Sequence, residues 1–137
     1  MPTYRSRDFF AYSLPFVTVP ANGQAQASFN IEQDSDFAWS KSAYFAQSHE
    51  DLLANETEAT RLLPLCTVQI QDTGSGRYLM NGPVALTDLF GTGALPFILP
   101  EDKIFVARAA IFVTVSNYSS VAVDNLYLSF IGTKLFL

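Results

Sequence analysis

The clearest pattern in this chain is a period of two. Ala25, Ala27, Phe29 and Ile31 alternate with Gln26, Ser28, Asn30 and Glu32, as a strand with one buried face requires. After a turn at Gln33-Asp34-Ser35, Phe37, Trp39, Ala43 and Phe45 alternate with Ala38, Ser40, Ser42 and Tyr44. This predicts a second strand that pairs near the first, with Lys41 the one charge on its apolar face. Val68 and Ile70 alternate with Gln69 and Gln71, Asp72-Thr73-Gly74-Ser75-Gly76 supplies turn residues, and Tyr78-Leu79-Met80 resumes an extended run. That segment reads as two central antiparallel strands joined by a tight loop, with Asp72 bonding the turn backbone, the glycines permitting positive φ, and Arg77 facing Asp72. Near the end, Ile111, Val113 and Val115 share a face, a hairpin loop follows at Asn117-Tyr118-Ser119-Ser120, and Leu126, Leu128 and Phe130 alternate with Tyr127, Ser129 and Ile131.

Other stretches depart from this period. Residues 9–19 are aromatic and β-branched, but Pro15 predicts an edge position or a break. Residues 1–8 are polar and aperiodic, and read as an N-terminal arm that a partner orders. Residues 48–63 form an acidic excursion, a loop or a short helix: Ser48 and Asp51 fit a cap, Leu52, Glu56, Ala59 and Leu63 follow helical spacing, and Pro64 ends the run. Gly91, Gly93, Pro96 and Pro100 bracket apolar residues, so residues 81–102 read as a long apolar loop. About eight strands with no long helix predict an all-β, single-domain antiparallel β-sandwich over residues 9–137, in the jelly-roll arrangement.

Composition changes this picture in two ways. Of the 137 residues, 12 are Phe and 6 Tyr, while only 15% are charged, so the surface is poor in charge and a homo-oligomer, dimer or trimer, is expected. A net charge of −5 argues against nucleic acid as a partner. No run approaches the ~18 apolar residues of a membrane span, and no signal-peptide core follows Met1, so the chain is expected to be made in the cytoplasm and to meet no membrane.

Candidate chemistry is sparse. Asp72-Thr73-Gly74 spells the catalytic tripeptide of aspartic proteases, which share a proton between two carboxylates, so this chain would have to act as a homodimer. Gln71 and Gly76-Arg77 replace the apolar flanks of that pattern, which favours the hairpin reading. Glu32, Asp34 and Asp36 lie at a turn and read as solvated. Cys66, the single cysteine, reads as a small buried residue, and His49, the single histidine, as solvated. No catalytic residue, cofactor or metal is assigned.

Arg7-Asp8-Phe9-Phe10-Ala11-Tyr12, Asp34-Ser35-Asp36-Phe37-Ala38-Trp39, Asp72-Thr73-Gly74-Ser75-Gly76-Arg77, Leu95-Pro96-Phe97-Ile98-Leu99-Pro100 and Ser129-Phe130-Ile131-Gly132-Thr133-Lys134-Leu135-Phe136 resemble small virion proteins of tailed bacteriophages. In size and kind the chain is most similar to their jelly-roll cement, or capsid-decoration, proteins. The resemblance implies a structural, non-enzymatic protein on the capsid surface of the virion, bound to the major capsid protein and stabilising the expanded head. Tyr4, Arg5 and Arg7 in the arm and Phe90, Leu95, Phe97 and Leu99 in the apolar loop are the candidate partner contacts. A carbohydrate- or receptor-binding β-sandwich of the phage tail is the alternative binding role.

Overall fold

The computed structural model describes residues 4–48, 66–92, 95–120 and 122–136. In chain order the elements are β1 (Ser6–Val19), β2 (Gln24–Asn30), β3 (Ser35–Ser48), β4 (Cys66–Asp72), β5 (Arg77–Tyr78), β6 (Val84–Ala85), the helical turn α1 (Leu86–Leu89), β7 (Phe97–Phe105), β8 (Ala110–Asn117) and β9 (Val123–Phe136). One sheet runs β1-β9-β3-β7 and the other β2-β8-β4-β5, with β6 also paired to β4. If β5 and β6 are counted as one position, the chain changes sheet at every step except from β4 to β5 and forms two Greek keys, which is the jelly roll. The first and last long strands pair along almost their whole length, from Ser6↔Phe136 to Val19↔Val123.

The core lies between the sheets. The inward rows Leu14 and Phe16 of β1, Val68 and Ile70 of β4, Ile111, Val113 and Val115 of β8, and Leu126, Leu128 and Phe130 of β9 are all buried. At one end an aromatic cluster fills the gap: Trp39 stacks on Phe105 at 5.9 Å and leans on Phe130 at 4.9 Å, and Phe90 meets Phe130 edge-on at 5.5 Å. Such pairs add about 0.5–1.5 kcal/mol each beyond burial.

Several expectations are corrected. The alternating strand at residues 25–31 does not neighbour the next one: β2 pairs with β8, while β3 lies in the other sheet between β9 and β7. The arm is shorter than residues 1–8, because Ser6, Arg7 and Asp8 already pair with Phe136, Leu135 and Lys134. Pro15 sits within a continuous β1 without breaking it; β1 is an edge strand, where a missing ladder donor is tolerated. Residues 97–102, expected as the end of a loop, belong to the strand β7, also at an edge. Its pairing with β3 jumps from Lys41↔Ile98 to Trp39↔Lys103, so the Pro100 region arches out of the ladder. The acidic excursion at 48–63 lies, beyond Ser48, outside the described residues.

A β-bulge in β3 resets its faces. Trp39 pairs with Gly132 but Lys41 with Ile131, which leaves Ser40 as the extra residue. Beyond the bulge the inward positions become Ser42 and Tyr44, and Phe45 and Lys41 turn outward, opposite to the expected alternation for Phe45 and Lys41. Side chains stitch the irregularity: the Trp39 indole N–H donates to the Lys41 carbonyl at 2.8 Å, and the Ser40 hydroxyl to that of Ile131 at 3.2 Å.

Gly132 is required at this crossing by space, since a Cβ there would lie 1.9 Å from the Ala38 carbonyl oxygen. Backbone of two paired strands cannot give way as a flexible side chain can. Gly132→Ala is therefore expected to destabilise the fold by about 3 kcal/mol, read as a lowered urea midpoint at unchanged slope.

Candidate functional site

The hairpin that spells the protease tripeptide is anchored by its own side chains. The Asp72 carboxylate is buried at the end of β4. It accepts from the Gly74 N–H at 2.8 Å and the Ser75 hydroxyl at 3.3 Å, and the Lys103 ammonium stands 3.9 Å away. Its cation is thus Lys103 of β7 and not Arg77, the residue opposite it in register. Gly76 takes positive φ, 72°, whereas Gly74 is demanded by space: a Cβ there would meet Val106 at 2.7 Å. The following strand is a two-residue edge rather than a central strand.

This hairpin forms the rim of a cleft of about 770 Å³, opening between the free edges of the two sheets. Leu79, Met80 and Leu89 wall one side, Phe97, Leu99 and Pro100 of β7 the other, with Trp39 and Ile70 beneath. Arg77 and Lys103 bring two positive charges to it, and no carboxylate lines it among the described residues.

A second feature is the outer face of the β1-β9-β3-β7 sheet. On β1, Phe9, Ala11, Ser13, Pro15 and Val17 all face solvent, with Phe9 76% and Val17 81% exposed. Pro15 neighbours Tyr127 of β9, which neighbours Phe45 of β3, and the rings of Phe45 and Tyr127 are 6.2 Å apart. Ser13, Ser129 and Ala43 make the next row, and Ala11, Ile131, Lys41 and Ile98 the one after it, across all four strands. Lys41 is the single charge on the described β1, β9 and β3 rows from Phe9 to Val17; Glu101 and Asp102 stand at the β7 margin. With strands about 4.8 Å apart and about 3.3 Å per residue, the plane of these rows covers roughly 500 Å², mostly apolar and interrupted by Ser13, Ser129 and Lys41.

The predicted contact residues separate accordingly. Phe97 and Leu99 line the cleft, while Leu95 stands free at 80% exposure. Phe90 is fully buried, with no exposed surface for a partner: the turn α1 folds it inward against Trp39 and Phe130. Tyr4, Arg5 and Arg7 belong to the opposite edge, where the Tyr4 hydroxyl donates to Asp36 at 3.0 Å, the Arg5 N–H to the Phe136 carbonyl, and Arg7 is exposed in the β1 ladder. The outward row of β1 and β9 escaped sequence reading because apolar residues on both faces of a strand read as core.

The three acids expected in solvent are partly structural. Asp36 is buried and also accepts from the Ala107 N–H at 2.9 Å. Glu32 and Asp34 meet the Lys134 ammonium at 3.1 and 3.7 Å, and that ammonium lies 4.4 Å over the Phe10 ring. Burial pulls the Lys134 pKa down, but the hydrogen bond and charge of Glu32 and the charge of Asp34 carry it above its ordinary value. Burial, joined by the bond to Asp36, raises Tyr4. Burial also raises Tyr12, against the lowering effect of the Glu32 N–H donated to its oxygen. Buried Cys66 is pushed up to about 11 by desolvation.

No protein-family model, curated protein or solved structure matches this chain.

All four shifts are upward, so the folded state holds these protons more tightly than the unfolded state does. Their stabilisation is complete below the unfolded values and is lost as pH rises through the folded ones. Cys66 starts from 9.0, Tyr4 and Tyr12 from 10.0 and Lys134 from 10.5. Urea midpoints are therefore expected to fall from pH 9 upward, and Lys134→Met to make the fall above pH 10.5 shallower, leaving the share of Cys66 and the tyrosines. At neutral pH, Val17→Lys and Phe45→Lys are expected to leave stability within about 0.5 kcal/mol of the parent, while Phe90→Ala costs about 3–5 kcal/mol, by the same urea measurement.

Proposed function

We propose that this chain is a structural virion protein of a tailed bacteriophage, a capsid cement or decoration protein that binds the shell of major capsid protein. The observation that carries the reading is the outer face of the β1-β9-β3-β7 sheet, where Phe9, Val17, Phe45, Tyr127 and Ile98 are exposed and the rows from Phe9 to Val17 hold one charge. A monomer exposes patches of this size where it meets other proteins.

The size of the face supports repetition over a single strong contact. Its roughly 500 Å² falls below the ~800 Å² per partner of a standard stable interface. One such contact is weak, whereas a dimer or trimer engaging neighbouring capsomers gains by effective concentration. The jelly roll carries such a face on long strands: β1 pairs with β9 along almost its whole length, and β3 with β9 on both sides of the bulge at Ser40. The Asp72 hairpin supports the same non-enzymatic reading, since its carboxylate is engaged by Gly74, Ser75 and Lys103 of its own chain.

Quantitative mass spectrometry of purified particles tests the proposal. Hundreds of copies per particle are expected, together with heads that rupture at lower temperature when the protein is missing. Absence from virions, or about a dozen copies, as a tail component would give, contradicts it.

A further inference from the structure

The cleft between the sheet edges has a chemistry that the sheet face lacks. Its walls are apolar, its two charged groups are both cations, and it lies on a chain whose net charge is −5. Acids are thus abundant in this protein yet absent from the described lining of this cleft. The cations are also held differently. Lys103 stands 3.9 Å from the buried Asp72 carboxylate, and its side chain is 37% exposed. Arg77 is exposed on β5, where the anchored Asp72 turn fixes its backbone.

We infer that this cleft binds an extended segment of a partner protein, one carrying an aspartate or glutamate beside a large apolar residue. The carboxylate meets Arg77 and Lys103, and the apolar side chain enters between Leu79, Met80 and Leu99. Charge complementarity selects the anion, and an arginine offers it two parallel N–H donors. Phe97, Leu99, Pro100 and Lys103 of β7 line the opening together, so apolar and cationic groups stand along one edge strand and suit a segment that carries both kinds of side chain. Met80 adds adaptability, because an unbranched thioether side chain repacks around differing apolar guests. The inference stands apart from the capsid reading, since the sheet face and the cleft share no residue that either argument uses.

The test is a titration of the full chain, followed by amide and methyl NMR. The probe is a blocked peptide with a central Glu-Leu-Phe in a Gly-Ser frame, and Gln-Leu-Phe is its neutral counterpart. The expected result is saturable shifts at Arg77, Tyr78, Met80, Leu99 and Lys103, with the neutral peptide about fivefold weaker, the upper range for a solvent-exposed ion pair. Arg77→Gln is expected to reduce that preference and Arg77→Glu to reverse it, both at the parent's unfolding midpoint because Arg77 is exposed. Shifts confined to Phe45 and Tyr127, equal binding of the two peptides, or no saturable shift at the cleft would overturn the inference. So would dodecanoate occupying the cleft in preference to the peptide, or ultracentrifugation showing that a second copy of the chain fills it.

Discussion

The close approach of β9 to β3 at Gly132 and Trp39 is the constraint on which the rest of the molecule depends. β9 is paired on both sides along nearly its full length, to β1 and to β3, as β8 is in the other sheet. Where it passes Trp39 there is no room for a side chain, and β3 takes in Ser40 as an extra residue. The bulge keeps Phe37 and Trp39 in the core, then sends Phe45 outward beside Tyr127. Without the reset, Phe45 would point inward, and the outer face would lose the ring that joins β3 to β9. Packing and surface chemistry thus have one origin.

The same bulge governs the other edge. β7 follows β3 only up to Trp39↔Lys103 and rejoins it at Lys41↔Ile98, arching between. That arch places Leu99 and Pro100 over the gap between the sheets, facing the hairpin anchored by Asp72. Lys103, at the foot of the arch, reaches back toward Asp72 and ties the two edges together electrostatically. A lysine so placed contributes modestly to stability, because an exposed cation at 3.9 Å is largely solvated. Its greater consequence is a positive rim on an apolar cleft.

Much of the sandwich was legible because β2, β4, β8 and the middle of β9 alternate, and alternation is a local signal. The hairpin was legible for the same reason, since Asp72, Gly74 and Gly76 carry their turn chemistry with them. What was not legible is non-local. Nothing near Gln24–Asn30 says that its partner is Ala110–Asn117, and nothing near Ser40 announces a bulge, which exists only relative to β9. Phe90 looked exposed because it lies among glycines and prolines; one helical turn, Leu86–Leu89, suffices to bury it. Pro96 and Pro100 masked β7, as they would any edge strand, since prolines are tolerated where one ladder is unpaired. The outward apolar row of β1 was hidden because burial on two faces and burial on one face plus a partner look alike in sequence.

The central claim is that the outer face of the β1-β9-β3-β7 sheet is covered when the protein is in place on its particle. Hydroxyl-radical footprinting, comparing the free chain with the chain on purified virions, tests this most directly, because Phe9, Phe45 and Tyr127 report from three adjacent strands of that face. Strong protection of all three on the particle is the predicted result. Oxidation of all three at the rate of the free chain would contradict the account.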